Sequence, residues 1–171
     1  MPYTLYDASF RLVSDALDSL LVILDKAASS PSADKIIESR MHESMLPFPY
    51  QVHFATKMAL RLAHRVGGLE VPDYQMDMKT YDDMRARVAA IKEVLAKADK
   101  DAVNARADEI TVIDIPLDNM PKVPVSALVN GYIIPNVFFH VTTAYDLARK
   151  ENVEIGKMDY ITPILFKYAV Q

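Results

Sequence analysis

Taken at about 100° per residue, the first segment of the chain places Tyr6, Phe10, Val13, Leu17, Leu20, Leu21, Leu24 and Ala27 on one side of a helix. Arg11, Asp15, Asp18, Asp25 and Lys26 fall on the other, so a long amphipathic helix is expected. Ser29-Ser30-Pro31 ends it, and Pro31 is suited to open a short helix through Ile36 and Ile37. After the rigid Met45-Leu46-Pro47-Phe48-Pro49 lead-in, Gln51, Val52, Ala55, Met58, Ala59, Leu62, Ala63 and Val66 recur at helical spacing up to Gly67-Gly68. Those glycines are good C-caps. Thr80 with Asp83 forms a capping box with the shorter acid, and Tyr81, Met84, Val88, Ile91 and Leu95 continue as the stripe of a third long helix.

Between Glu109 and Ala127 the period changes. Ile110 and Val112, then Ile113 and Ile115, alternate with polar residues around a phase slip, Pro116 to Pro124 carries turn residues, and Val123 and Val125 follow. This pattern predicts a small hairpin with a bulge, edge-like because of its prolines. From Ser126 to Glu151 a last long helix runs through Val129, Ile133, Val137, His140, Val141, Ala144 and Ala148, with Pro135 expected to kink it or start it afresh. The apolar tail (Tyr160, Ile164, Leu165, Phe166, Tyr168) should dock on the body. Four long helices, with a long crossover after the second and a hairpin before the fourth, make an all-α, up-down four-helix bundle occupying residues 1–171 as one domain.

Composition narrows the chemistry. The 171 residues are 51% hydrophobic and 25% charged, ordinary for a globular domain. With no cysteine, disulfides, thiolate nucleophiles and thiolate metal sites are excluded; a transition metal would need His, Asp or Glu, and only His42, His53, His64 and His140 are present. The 19 basic against 23 acidic side chains provide no basic footprint for nucleic acid. The N-terminus lacks the basic and apolar regions of a signal peptide, and the longest clean apolar run, Leu20 to Leu24, is too short for a bilayer. A cytoplasmic protein without a membrane or nucleic-acid partner is expected.

In a bundle, sites lie where polar residues share the apolar stripe. Gln51 begins the buried stripe of the second long helix, whereas His53, Lys57, Arg61 and His64 cluster opposite and read as solvent-facing. On the last helix His140 lies in the apolar arc, with Asn136 and Thr143 at i−4 and i+3. Two readings stand. His140 is either a neutral core histidine satisfied by Asn136, a backbone carbonyl or Gln51 across the seam, or the general acid or base of a wet pocket whose amides orient a ligand. The methionines, Met58 among them, are an adaptable lining or core filler. His42-Glu43 lacks the second histidine of a metalloprotease pair, since Leu46 stands there, and reads as a surface helix end. Phe138 and Tyr145 project opposite the His140 face and call for a cover, either the C-terminal tail or a second subunit in a homodimer.

The segments LYDAS, MLPFPYQV, LEVP, YDDMRARVAAI and above all PNVFFHVTTAYDLARKENVEIGKMDY resemble the family catalogued as domain of unknown function 1993. That family looks like a branch of the DinB/YfiT-like superfamily of four-helix bundles. The resemblance implies a divalent metal held by one histidine of the second helix and an H-x-x-x-H pair of the fourth, serving thiol-dependent transferases and isomerases. Here the pair is Asn136-x-x-x-His140 and the second-helix position is Gln51, and amides are weak ligands for zinc or nickel. No metal and no cofactor are therefore expected. The expected function is a metal-independent enzyme of isomerase, cyclase or lyase type acting on a small, largely apolar organic molecule. His140 would be its general acid or base, and Gln51, Asn136, Thr143 and Met58 would hold the substrate. The alternatives are a non-catalytic small-molecule-binding or accessory protein, and a transferase or hydrolase weakly binding metal through His140, Asn136 and His53.

Overall fold

The structure is a computed structural model describing residues 3–113 and 121–168. A π-helical turn, Asp7–Arg11, leads straight into α1 (Leu12–Ala28), whose buried face carries Val13, Ala16, Leu17, Leu20, Ile23, Leu24 and Ala27. Each buried Val, Leu or Ile among them stabilises the fold by about 1.5–3 kcal/mol, so the apolar stripe decides the orientation of the helix. Asp15, expected on the solvent side, is instead buried. The docked C-terminal segment covers it, and Lys167 and Tyr168 satisfy its carboxylate.

After the short α2 (Ala33–Glu38), α3 runs from Phe48 to Arg65. Pro47 is its N-cap and Pro49 lies in its first turn, where a missing N–H costs no helical hydrogen bond. Gly68 ends the connection in the left-handed region, at φ +66°, and a Cβ on Gly67 would sit 2.7 Å from the Ala63 carbonyl oxygen. α3 finishes near Phe10 at the start of α1, yet α4 (Tyr81–Leu95) begins beside the start of α3, where the Phe48 and Tyr81 rings are 6.2 Å apart. Residues 66–80 therefore run back along the bundle. This is the expected crossover, and it makes α3 and α4 parallel neighbours. The Thr80–Asp83 capping box is formed at both of its bonds.

α5 (Lys100–Ala105) is capped by the Asp99 side chain and leads to a two-stranded antiparallel sheet, β1 (Ile110–Val112) with β2 (Lys122–Pro124). The register continues unbroken to the Ile113 N–H on the Pro121 carbonyl, so the expected bulge is absent from the described part of the hairpin. The expected turn within residues 114–120 lies outside the described residues. α6 (Val125–Leu128), a π turn (Val129–Ile133) and α7 (Ile134–Lys150) form one continuous helical stretch. Pro135 stands in the first turn of α7, just past the wide turn. The α pattern resumes there after the wide turn, because the proline nitrogen cannot donate and its ring crowds the preceding turn.

α1 and α3 each pack on both α4 and α7, which sets α1 and α3 diagonally opposite. The stretch Val125–Lys150 is long and apolar enough to cross a membrane by length and composition, but here it is a bundle helix packed on α1 and α3. α8 (Lys157–Leu165) docks on α1, held by Ser19 Oγ donating to the Tyr160 carbonyl at 2.7 Å and by Lys26 on Asp159 at 2.8 Å. Its Tyr160 ring meets Tyr145 edge-on, so the tail supplies a cover at that position.

Candidate functional site

The first turn of α3 and the middle of α7, neighbouring antiparallel helices, bring Gln51 and His140 together. Gln51 is buried, and its Nε2 donates to the Leu46 carbonyl at 2.9 Å. A carbonyl can only accept, so the amide is oriented and its Oε1 faces His140 Nδ1, also at 2.9 Å. Nδ1 therefore carries the proton. Nε2 is the bare lone pair, with no hydrogen-bond partner among the described residues. Phe54 stacks on the imidazole with centroids 5.2 Å apart and Phe139 meets it edge-on at 5.1 Å. Burial beside these rings pushes the His140 pKa down to about 4, and the ring is neutral at pH 7.

The other expected site residues do not join this pair. Asn136 Nδ2 donates to the Tyr132 carbonyl at 2.7 Å and Thr143 Oγ1 to the Phe139 carbonyl at 2.7 Å, both on their own helix. Such local bonds compete with any interhelical role. Met58 is buried within the apolar core. The donor set does not suit the metal that the superfamily resemblance implies. Gln51 Oε1 is spent on a ring N–H, the Asn136 amide is turned onto backbone, and no group of three His, Asp or Glu side chains able to hold a metal occurs among the described residues.

His53 departs from expectation. It was read as solvent-facing, yet only 7% of its surface is exposed, and its Nδ1 is buried without a hydrogen-bond partner. The physical reason lies outside α3: the crossover segment with Val71, Pro72, Asp73 and Tyr74, together with Arg87 of α4, folds over that face and encloses a cavity of about 250 Å³. Burial first, then the charges of Lys57 and Arg87, lower the His53 pKa, against a smaller opposing effect of Asp77. His64 is exposed, as expected, with Nδ1 3.2 Å from the Leu69 carbonyl oxygen, and His42 is exposed beside Ser44.

Phe54, Lys57, Arg65 and Arg87 were missed as site residues. One signal was available for Lys57 and Arg65: α3 has no acidic residue anywhere along it, although the chain as a whole carries a net charge of −4. A merely solvated helix face interleaves both signs.

A bundle with this crossover and a polar pair at the α3–α7 seam defines a DinB-like protein. The chain is similar to the crystal structure of a DinB family member protein from Shewanella denitrificans, with a TM-score of 0.82 and 29% sequence identity over 92% of this chain and 91% of that one. It belongs to the family described as Domain of unknown function (DUF1993), whose model matches residues 5–161. No curated protein matches the chain.

Proposed function

We propose that the chain binds a small, largely apolar organic molecule at the α3–α7 seam without a metal, and that His140 Nε2 is the atom that accepts its proton. The observation carrying this reading is the commitment of Nδ1–H to an oriented, buried Gln51 amide, which leaves Nε2 unprotonated between two aromatic rings. The flanking Phe54 and Phe139 suit an apolar or aromatic ligand body. A neutral imidazole of fixed tautomer starts as base or acceptor, and it can act as an acid only after it has taken a proton. An isomerisation, cyclisation or elimination, in which one proton is removed and returned or lost, fits this order.

The low basicity of His140 favours a second reading, a binding protein without turnover, because a base with a pKa near 4 drives proton transfer weakly at pH 7. One experiment addresses both. Long-range ¹H–¹⁵N spectra should show His140 as the neutral Nδ1–H tautomer at pH 7. A panel of weakly acidic phenols and ketones should then raise the melting temperature of the wild type but not of His140→Ala, with product analysis separating enzyme from binder. A charged His140 at pH 6, or equal stabilisation of wild type and His140→Ala, would sink the proposal.

A further inference from the structure

The cavity under the crossover is on a different face of α3 from the Gln51–His140 seam. We infer that it is a binding site for a small organic carboxylate, an acid of roughly benzoate size. Four cationic side chains line it: Lys57, Arg61 and Arg65 from α3, and Arg87 from α4. Among the described residues the lining contains one carboxylate, Asp73, and Asp77 pairs with Arg87 beside it. Leu60, Val71, Pro72 and Tyr74 supply an apolar wall.

The cations are held in place rather than free to drift. Arg87 lies over the Tyr74 ring, 4.0 Å from its centroid, and donates through Nη2 to Asp77 at 2.7 Å and to the Gln75 carbonyl. Among the described residues Arg65 likewise donates through Nη2 alone, to Thr111 Oγ1 and to the Val112 carbonyl at 2.8 Å, which ties the hairpin to α3. Nε and Nη1 of both guanidiniums thus keep their N–H groups for another acceptor. Arg61 donates to the Tyr132 hydroxyl at 2.8 Å. Lys57 is exposed at the edge of the cavity.

A charged wall of this kind could belong to an ordinary surface, but His53 argues otherwise. It is more than nine-tenths buried and lines the cavity, and its Nδ1 has no hydrogen-bond partner among the described residues. Native structures rarely leave such a group unsatisfied, and the usual explanation is a missing ligand, ion or water. A carboxylate would take up further N–H groups of Arg65 and Arg87 and bring a negative charge beside His53, while its apolar body would lie on Tyr74 and Val71. About 250 Å³ is small for a ligand pocket and admits a compact acid rather than a nucleotide.

Calorimetric titration of the full chain with benzoate, benzamide and inorganic phosphate tests this. Benzoate should bind and shift the His53 ring resonances, and benzamide, its uncharged analogue, should bind at least about tenfold more weakly, as for loss of a charge-assisted contact. Lys57→Gln should weaken benzoate about fivefold and Lys57→Glu more, with unchanged melting temperatures, since an exposed charge contributes modestly. His140→Ala should leave benzoate binding intact. No benzoate binding, equal affinity for benzamide, or phosphate binding as tightly as benzoate would each overturn the assignment. So would loss of binding in His140→Ala with none in the Lys57 variants.

Discussion

Replacing Gln51 by Glu should convert the neutral amide–imidazole contact of the seam into a carboxylate–imidazolium pair below about pH 6. In the wild type burial holds His140 near a pKa of 4, against an ordinary value of 6.5. A carboxylate replacing the amide oxygen that now sits 2.9 Å from Nδ1 brings the charge centres to roughly 4 Å, worth about 4 kcal/mol at an effective dielectric constant near 20. That is about three pKa units, and solvent reaching the half-buried ring reduces it to about two, so the variant should titrate near 6. The pH dependence of stability should change with it. A histidine whose folded pKa is lowered contributes stability that is full above about 6.5 and is lost as the pH falls towards 4, because the unfolded chain binds the proton first. For His140 this loss is about 1–2 kcal/mol once solvent screening is discounted. Urea unfolding between pH 7 and pH 4.5 should show this slope in the wild type and little of it in Gln51→Glu. At pH 7 the variant should be about 1 kcal/mol less stable, because the Leu46 carbonyl loses its donor. NMR titration of the His140 ring is the direct assay. A His140 pKa that stays below 5 in the variant would refute the geometry on which the seam is argued.

Thr80→Ala should cost about 1 kcal/mol in urea unfolding, and Asp83→Ala a similar amount, with the double variant costing less than the sum because the two groups cap one another; full additivity would count against the reciprocal box. Glu151 is buried, accepts from Ser39 Oγ at 2.6 Å and pairs with Lys35 at 2.6 Å. Glu151→Ala should destabilise by about 2 kcal/mol, while Lys35→Ala, which removes an exposed partner, should stay within about 0.5 kcal/mol; equal effects would refute the division. Arg65→Ala should speed hydrogen exchange at Ile113, whose N–H donates to the Pro121 carbonyl, while the protection of α1 and α7 is kept. Unchanged exchange in the hairpin would show that Arg65 does not anchor it.

Helical periodicity made most of the fold legible, since it reports which residues of one helix share a face, and the core follows from those faces. It also placed Gln51 and His140 correctly as polar interruptions of buried stripes, and the structure joins them in a hydrogen bond. His53 is buried against its helical phase because of cover from outside α3. The phase of α3 separates its apolar side from the other, but whether that other side meets water depends on where residues 66–80 travel and on Arg87 of another helix. Asp15 failed in the same way, through cover supplied by the distant Lys167 and Tyr168. Asn136 and Thr143 lie where their spacing put them, but the nearest acceptors of short polar side chains on a helix are its own carbonyls. Their local bonding could not be read from spacing.

The two histidines of the α3 neighbourhood are held neutral in different ways, and the difference assigns them different work. Phe54 borders both rings, with centroids 5.3 Å from His53 and 5.2 Å from His140, and burial depresses both pKa values. At His140 an amide oxygen takes the Nδ1 proton, so one nitrogen is spent and the other is left as an acceptor in an environment that carries no formal charge. At His53 the Nδ1 has no partner among the described residues, and Lys57 and Arg87 oppose a positive ring more than Asp77 favours it. A further negative group beside that ring would favour its charged form. This difference is why the proposed ligands differ, neutral and largely apolar at the seam and anionic in the cavity, on two flanks of one helix.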